Sequence, residues 1–105
     1  MDVQKRLETV VKTIDKLVSL KEVYLFGSYA YGSPNEHSDF DLYIVVDKIN
    51  GRKHDVLVNY IVQYEVYLSG KPLDLLVNTK EYFDERKDYR GTLEYKIFRE
   101  GIKLY

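Results

Sequence analysis

The sequence predicts an α/β (α+β) fold, a small mixed sheet with helices packed against it, and three observations predict it. An amphipathic stripe opens the chain. Three short apolar runs, at 22–26, 39–46 and 72–78, have the length and the residues of strands. Between and after them the pattern returns to helical spacing or to residues that cap helices.

Each element has its own reason. Val3, Leu7, Val10, Val11, Ile14, Leu17 and Val18 recur at steps of three and four with Lys, Glu and Asp between them, which predicts a helix over 2–19. "EVYLF" is a β-branched and aromatic run ended by Gly27, hence a strand. Ser28, a good N-cap residue, opens a brief helical turn in "SYAY". "GSPNEHS" is a loop by composition, "DFDLYIVV" a second strand, and "DKINGRK" a charged turn around Asn50-Gly51. From Asp55 to Leu68 the apolar positions follow a helical step, although Val56, Val58 and Val62 favour strand. "PLDLLVN" reads as a buried strand begun by Pro72, and Thr79 caps a short helix or turn in "TKEYFDERK". Tyr89, Leu93 and Ile97 stand at steps of four across 89–100. Lys96 and Arg99 suit the negative end of that helix, and Gly101 is a natural residue just past it. "IKLY" returns as a last short strand.

Composition bounds what such a chain can do. At 105 residues it reads as a single domain, 1–105, with room for one core; a domain of this size buries roughly 65% of its unfolded surface. Sixteen basic against seventeen acidic residues leave a net charge of −1, so no global field draws it to nucleic acid or an anionic membrane. There is no cysteine, which excludes disulfides and thiolate metal sites and agrees with a reducing compartment. "MDVQKRLETV" has no apolar core of a secretory signal, and no run approaches the roughly 18 residues of a membrane span. The expected location is the cytoplasm. Eleven tyrosines stand against four phenylalanines and no tryptophan. Tyr60, Tyr64 and Tyr67 fall at helical spacing, as a packing face whose hydroxyls reach water or as a patch for a partner.

The chemistry gathers in "LFGSYAYGSPNEHSDFDLYIV". Residues i and i+2 of a strand share a face, so Asp39 and Asp41 point the same way while Phe40 and Leu42 point into the core. Two carboxylates so close resist ionising together unless a cation lies between them. Hard oxygen donors of this kind suit Mg²⁺, which completes its shell with water and substrate phosphates. Asp74 interrupts the apolar "PLDLLVN", where a lone charge is costly. If its strand neighbours the other, it completes a triad able to hold two metals and to act as base toward an attacking hydroxyl. Gly27 and Ser28 supply the other half: a strand that ends in Gly and turns into a helix presents backbone N–H groups and a hydroxyl to an anion. Each part has a plain structural explanation on its own, as a turn, a solvated loop or an edge-strand charge. Together they describe a nucleoside triphosphate site.

Gly27-Ser28, ten residues and then Asp39-x-Asp41 resemble the G-S-x10-D-x-D signature of the nucleotidyltransferase superfamily that includes DNA polymerase β and kanamycin nucleotidyltransferase. The length, the acidic third strand and the closing "FREGIKLY" are similar to the minimal nucleotidyltransferase (MNT) proteins of HEPN/MNT toxin–antitoxin modules. The resemblance implies that Gly27 and Ser28 hold the β- and γ-phosphates of ATP. It makes Asp39 and Asp41 ligands of Mg²⁺, two ions being expected, and Asp74 the third acidic residue, metal-binding and catalytic. It further implies transfer of AMP to a hydroxyl, a tyrosine of a partner HEPN toxin, with release of pyrophosphate. One position departs from the pattern: many minimal members have a basic residue in the short helix after Gly-Ser, and here Tyr31 stands there. His37 reads as a loop histidine. Two other functions remain open, a catalytically weak antitoxin that neutralises its partner by binding, and a transferase acting on a small molecule. Nucleic acid is disfavoured as acceptor by the near-neutral charge. A core with one open face would take its acceptor from a partner or from a second copy of itself.

Overall fold

The opening stripe becomes helix α1 (Val3–Leu17), and the face it buries is aliphatic. Leu7, Val10, Val11 and Ile14 are buried, whereas Lys5, Glu8, Lys12, Asp15 and Lys16 are exposed on the other side. The computed structural model describes residues 3–17, 19–32, 40–48 and 73–105. The helix expected from Asp55 to Leu68, its three tyrosines and the Asn50-Gly51 turn lie outside the described residues.

The remaining elements are β1 (Leu20–Phe26), α2 (Ser28–Tyr31), β2 (Phe40–Val46), β3 (Leu73–Thr79), α3 (Lys80–Arg86), α4 (Leu93–Glu100) and β4 (Ile102–Lys103). The strands form one mixed sheet in the order β3-β2-β1-β4. β1 runs antiparallel to β2 and to β4, and β2 runs parallel to β3. This is the α+β arrangement that the sequence predicts.

α1 covers one face of the sheet, against Leu20, Val23, Leu25, Leu42, Ile44 and Val46. A register shift between Leu20 and Glu22 leaves the exposed Lys21 as an extra residue. Such a bulge changes the alternation, which is how Leu20 and the odd-numbered Val23 and Leu25 come to pack into the same core.

α3 and α4 cover the opposite face. There Tyr24, Tyr43, Val45, Phe83 and Ile97 form a second core, with the Phe83 ring 5.3 Å from both Tyr24 and Tyr43. β2 is therefore buried on both sides from Leu42 to Val46, which explains its unbroken apolar run.

Both helices on this face are capped by threonine. The Thr79 hydroxyl accepts from the Tyr82 N–H at 3.1 Å and the Thr92 hydroxyl from the Tyr95 N–H at 3.0 Å. The second cap corrects the expected stripe of the last helix. It begins at Leu93, leaving Tyr89 outside with 67% of its surface exposed, and it buries Glu94 and Ile97 while Leu93 stays 41% exposed. Gly101 also serves differently from the expectation. Its φ of −70° is open to any residue. A Cβ there would meet the Ile97 carbonyl oxygen at 2.6 Å and that of Leu25 at 3.2 Å, so close approach of chain to chain is what asks for glycine. The last strand pairs with β1 at Ile102 and Lys103, and its hydrogen bonds run on through "IKLY": the Leu104 N–H donates to the Val23 carbonyl at 2.7 Å and the Tyr105 carbonyl accepts from the Val23 N–H at 3.4 Å.

Candidate active site

β1 ends where Gly27 takes a φ of +74°, a conformation that side chains disfavour. The chain turns at once into α2, and the N–H groups of Ala30 and Tyr31 each donate to the Gly27 carbonyl at 3.0 Å. Phe26 is the register partner of Asp41, so the glycine that follows comes up against that carboxylate. A Cβ on Gly27 would collide with the Asp41 carboxyl group, 3.1 Å from its Cγ. Glycine is thus required twice, by its backbone angle and by the space that Asp41 occupies.

Across the parallel pair, Asp41 is the register partner of Asp74. Register partners in neighbouring strands share a face, and such strands lie about 4.8 Å apart. The two carboxylates therefore sit side by side on the face that α3 and α4 cover further along. Asp41 lies where that cover ends: Tyr43, two residues on, is fully buried, Asp41 is half-buried and Asp74 is exposed. Paired carboxylates flanked by a glycine shoulder are a donor set of hard oxygens that fits a divalent cation such as Mg²⁺. Ser28 is the first residue of α2, directly beyond Gly27. Asp39 and His37 lie outside the described residues, and among the described residues no group of three metal-ligating side chains occurs.

Behind the carboxylates lies a polar network that the sequence did not reveal. The Tyr43 hydroxyl donates to Glu94 Oε2 at 2.8 Å and accepts from Asn78 Nδ2 at 2.9 Å. Burial pushes the Tyr43 hydroxyl well above its ordinary pKa and the Glu94 carboxylate pushes it further, while Asn78 opposes; the phenol stays protonated and donates. Tyr43 is two residues from Asp41 and Asn78 four from Asp74, so one hydroxyl ties together the two strands that carry the acids, and Glu94 fastens them to α4. The signal in the sequence was faint: a tyrosine and an asparagine at alternating positions after the two aspartates. Glu94 itself sits among other charged helix residues and had none.

A glycine turn thus packs on one of two register-paired carboxylates at one end of a mixed sheet. The nucleotidyltransferase domain family matches residues 5–101, and the chain belongs to it; nucleotidyl transfer is its class of activity. A candidate protein adenylyltransferase of Methanocaldococcus jannaschii is 29% identical over 86 residues, covering 82% of this chain and 79% of that one. Among solved structures, a toxin–antitoxin structure with AMP-PNP superposes with a TM-score of 0.68 at 18% identity, over 99% of this chain and 73% of that chain. A variant of the toxin–antitoxin pair MntA-HpeT gives 0.61 at 16% identity over 93% and 71%. A candidate nucleotidyltransferase from Sulfolobus solfataricus gives 0.59 at 25% identity over 81% and 74%. The fold of the chain is the one these proteins share.

Proposed function

We propose that the protein transfers AMP from ATP, with Mg²⁺, to a hydroxyl of a partner HEPN toxin, a tyrosine being the acceptor, and that it acts in the cytoplasm as the antitoxin. The observation that carries this is the register pairing of Asp41 with Asp74 beside Gly27, in a chain related to a candidate protein adenylyltransferase. The toxin–antitoxin neighbours support the choice of partner. No helix among the described residues is long and apolar enough to cross a membrane.

In this proposal Asp39, Asp41 and Asp74 hold the metal, and Gly27 and Ser28 hold the phosphates. Gly27, without a side chain, lets the triphosphate approach the backbone, and the Ser28 hydroxyl donates to it. Mg²⁺ bound at the aspartates would neutralise charge on the phosphates and help to orient them. The acceptor oxygen forms a bond to the α-phosphorus and its proton passes to Asp74. The bond from the α-phosphorus to the bridging oxygen breaks, and pyrophosphate leaves with the electron pair.

One observation favours a second function. α2 has Tyr31 where many minimal members have a basic residue, which would suit an antitoxin that acts by binding alone. Incubation with α-phosphate-labelled ATP, Mg²⁺ and an extract of the native cells separates the two. Label is expected on one protein band and not in the presence of EDTA. Asp41→Asn is expected to slow labelling by about 10²–10³-fold, the cost typical of losing a group that stabilises transition-state charge. No label above an Asp39→Asn/Asp41→Asn control would leave the binding function standing and remove the transferase.

A further inference from the structure

A triphosphate entering beside Asp41 and Asp74 adds negative charge where two carboxylates already stand, so cations besides a bound metal must come from the protein. α2, the element next to Gly27, brings none: its residues are Ser28, Tyr29, Ala30 and Tyr31. α4 reaches across to it instead. Lys96 Nζ lies 4.7 Å over the centroid of the Tyr31 ring, and among the described residues that ammonium makes no ion pair, although Glu100 is one helical turn away. A cation resting on an exposed ring is held weakly, and a phosphate oxygen offers it a stronger, charge-assisted bond.

Tyr31 fixes where this cation waits. Its N–H donates to the Gly27 carbonyl at 3.0 Å, so it stands one turn from the glycine that packs on Asp41. Its hydroxyl also senses the site: burial pushes it above its ordinary pKa, Glu100 and Asp41 push the same way, and the Gly27 backbone opposes them. The aromatic ring and the lysine on it thus stand beside the turn that leads onto the paired carboxylates.

We propose that Lys96, supplied by α4 and held ready on the Tyr31 ring, is the protein's cation for the β- and γ-phosphates of the nucleotide, with Tyr31 as its positioning residue. This rests on the nucleotidyl-transfer function argued above and names a residue for it outside the Gly-Ser to Asp-x-Asp segment. A lysine from another helix would take the place of a basic side chain on α2.

The test is isothermal titration of the full chain with Mg-ATP and, separately, with AMP, for the unsubstituted protein, Lys96→Gln and Tyr31→Arg/Lys96→Gln. Lys96→Gln is expected to weaken ATP binding about tenfold, the loss of one charge-assisted contact, while AMP binding stays within about twofold. Tyr31→Arg in that background is expected to restore most of the loss, because it returns a cation to the same place. Equal ATP affinity with and without Lys96 would overturn the assignment, as would failure of Tyr31→Arg to restore it. Parallel weakening of ATP and AMP with a lowered melting temperature would overturn it too, by making Lys96 a clip between α2 and α4. If the unsubstituted chain binds no Mg-ATP, both this inference and the proposed function fail. That result differs from failure of Lys96 alone, in which ATP binds equally to both forms.

Discussion

The two faces of one sheet are built from different chemistry. The face under α1 is aliphatic throughout, with Leu, Ile and Val from the helix meeting Leu, Ile and Val from three strands. The face under α3 and α4 is aromatic and partly polar: Tyr24, Tyr43 and Phe83 pack ring on ring, the Glu94 carboxylate is buried among them, and the same strands run out into Asp41 and Asp74. Aliphatic packing depends on volume and shape and tolerates exchange within those limits. A buried hydrogen-bonded network depends on particular atoms, since every donor and acceptor taken from water needs its partner. The contrast teaches where this molecule needs definite positions. The α1 face holds the sheet up, and the other face holds the strands that carry the acids in register.

The largest test of that contrast is Phe83→Ala. Its ring lies against Tyr24, Tyr43 and, edge-on at 6.3 Å, Phe98, so truncation is expected to cost about 3–5 kcal/mol in urea denaturation. A loss below about 1 kcal/mol would mean that α3 is not anchored through this ring.

A sharper comparison keeps side-chain volume nearly constant on each face. Tyr43→Phe leaves the ring in place but removes the donor to the buried Glu94 and the acceptor for Asn78, and about 1–3 kcal/mol of stability should go with them. Ile14→Leu under α1 should cost less than about 1.5 kcal/mol. Replacing Glu94 by Met in the Tyr43→Phe background should recover part of the loss, because the carboxylate would no longer be buried without its donor. Equal costs on the two faces would erase the distinction drawn here.

The smallest expected effect is on pH dependence. Burial alone would raise the pKa of Glu22, but the Tyr24 hydroxyl and the ammonium groups of Lys103 and Lys80 outweigh it and hold the carboxyl below its ordinary 4.5. Lys80 lies 3.4 Å and Lys103 3.3 Å from its carboxylate oxygens. A carboxylate held down in the folded state contributes stability above its unfolded pKa and loses it as pH falls through the folded one. Glu22→Gln should therefore flatten the fall of stability below about pH 4.5, as followed by circular dichroism. Asp84, also lowered against its burial by hydrogen bonds and charge from Lys80 and Lys87, would keep part of that slope. An unchanged acid limb would show that the pairings at Glu22 do not hold in solution.

How much of this was legible beforehand follows from the range of the forces concerned. The α1 stripe, the end of β1 at Gly27, the short α2 and the caps at Thr79 and the helix after it depend on neighbours within a turn or two, and the sequence carries them directly. Tyr89 and Leu93 misled, because spacing alone does not say which face of a helix meets the sheet; the cap at Thr92 and the contact of Ile97 with Phe83 and Tyr43 decide that. Gly101 looked like a terminator for its backbone freedom, yet its reason is space: a Cβ would collide with the carbonyl of Ile97, four residues back, and crowd that of Leu25, far away in the chain. Asp39 and the segment from Asp55 to Leu68 lie outside the described residues.

What the sequence determined by itself is a mixed sheet with helices on it, a glycine turn, and the acids that interrupt apolar strands, because local propensity can be read from residue types in order. The buried setting expected for "PLDLLVN" is not met, since β3 lies at the edge of the described sheet with Asp74 and Leu76 exposed. Tertiary structure alone decided that Asp41 and Asp74 share a register, that Gly27 packs on the first of them, that Tyr43 joins Asn78 to Glu94, and that Lys96 rests on Tyr31. These are contacts between residues from 14 to 65 positions apart in the chain. Each depends on how strands are ordered and which way helices face, and the packing of the whole sheet sets both.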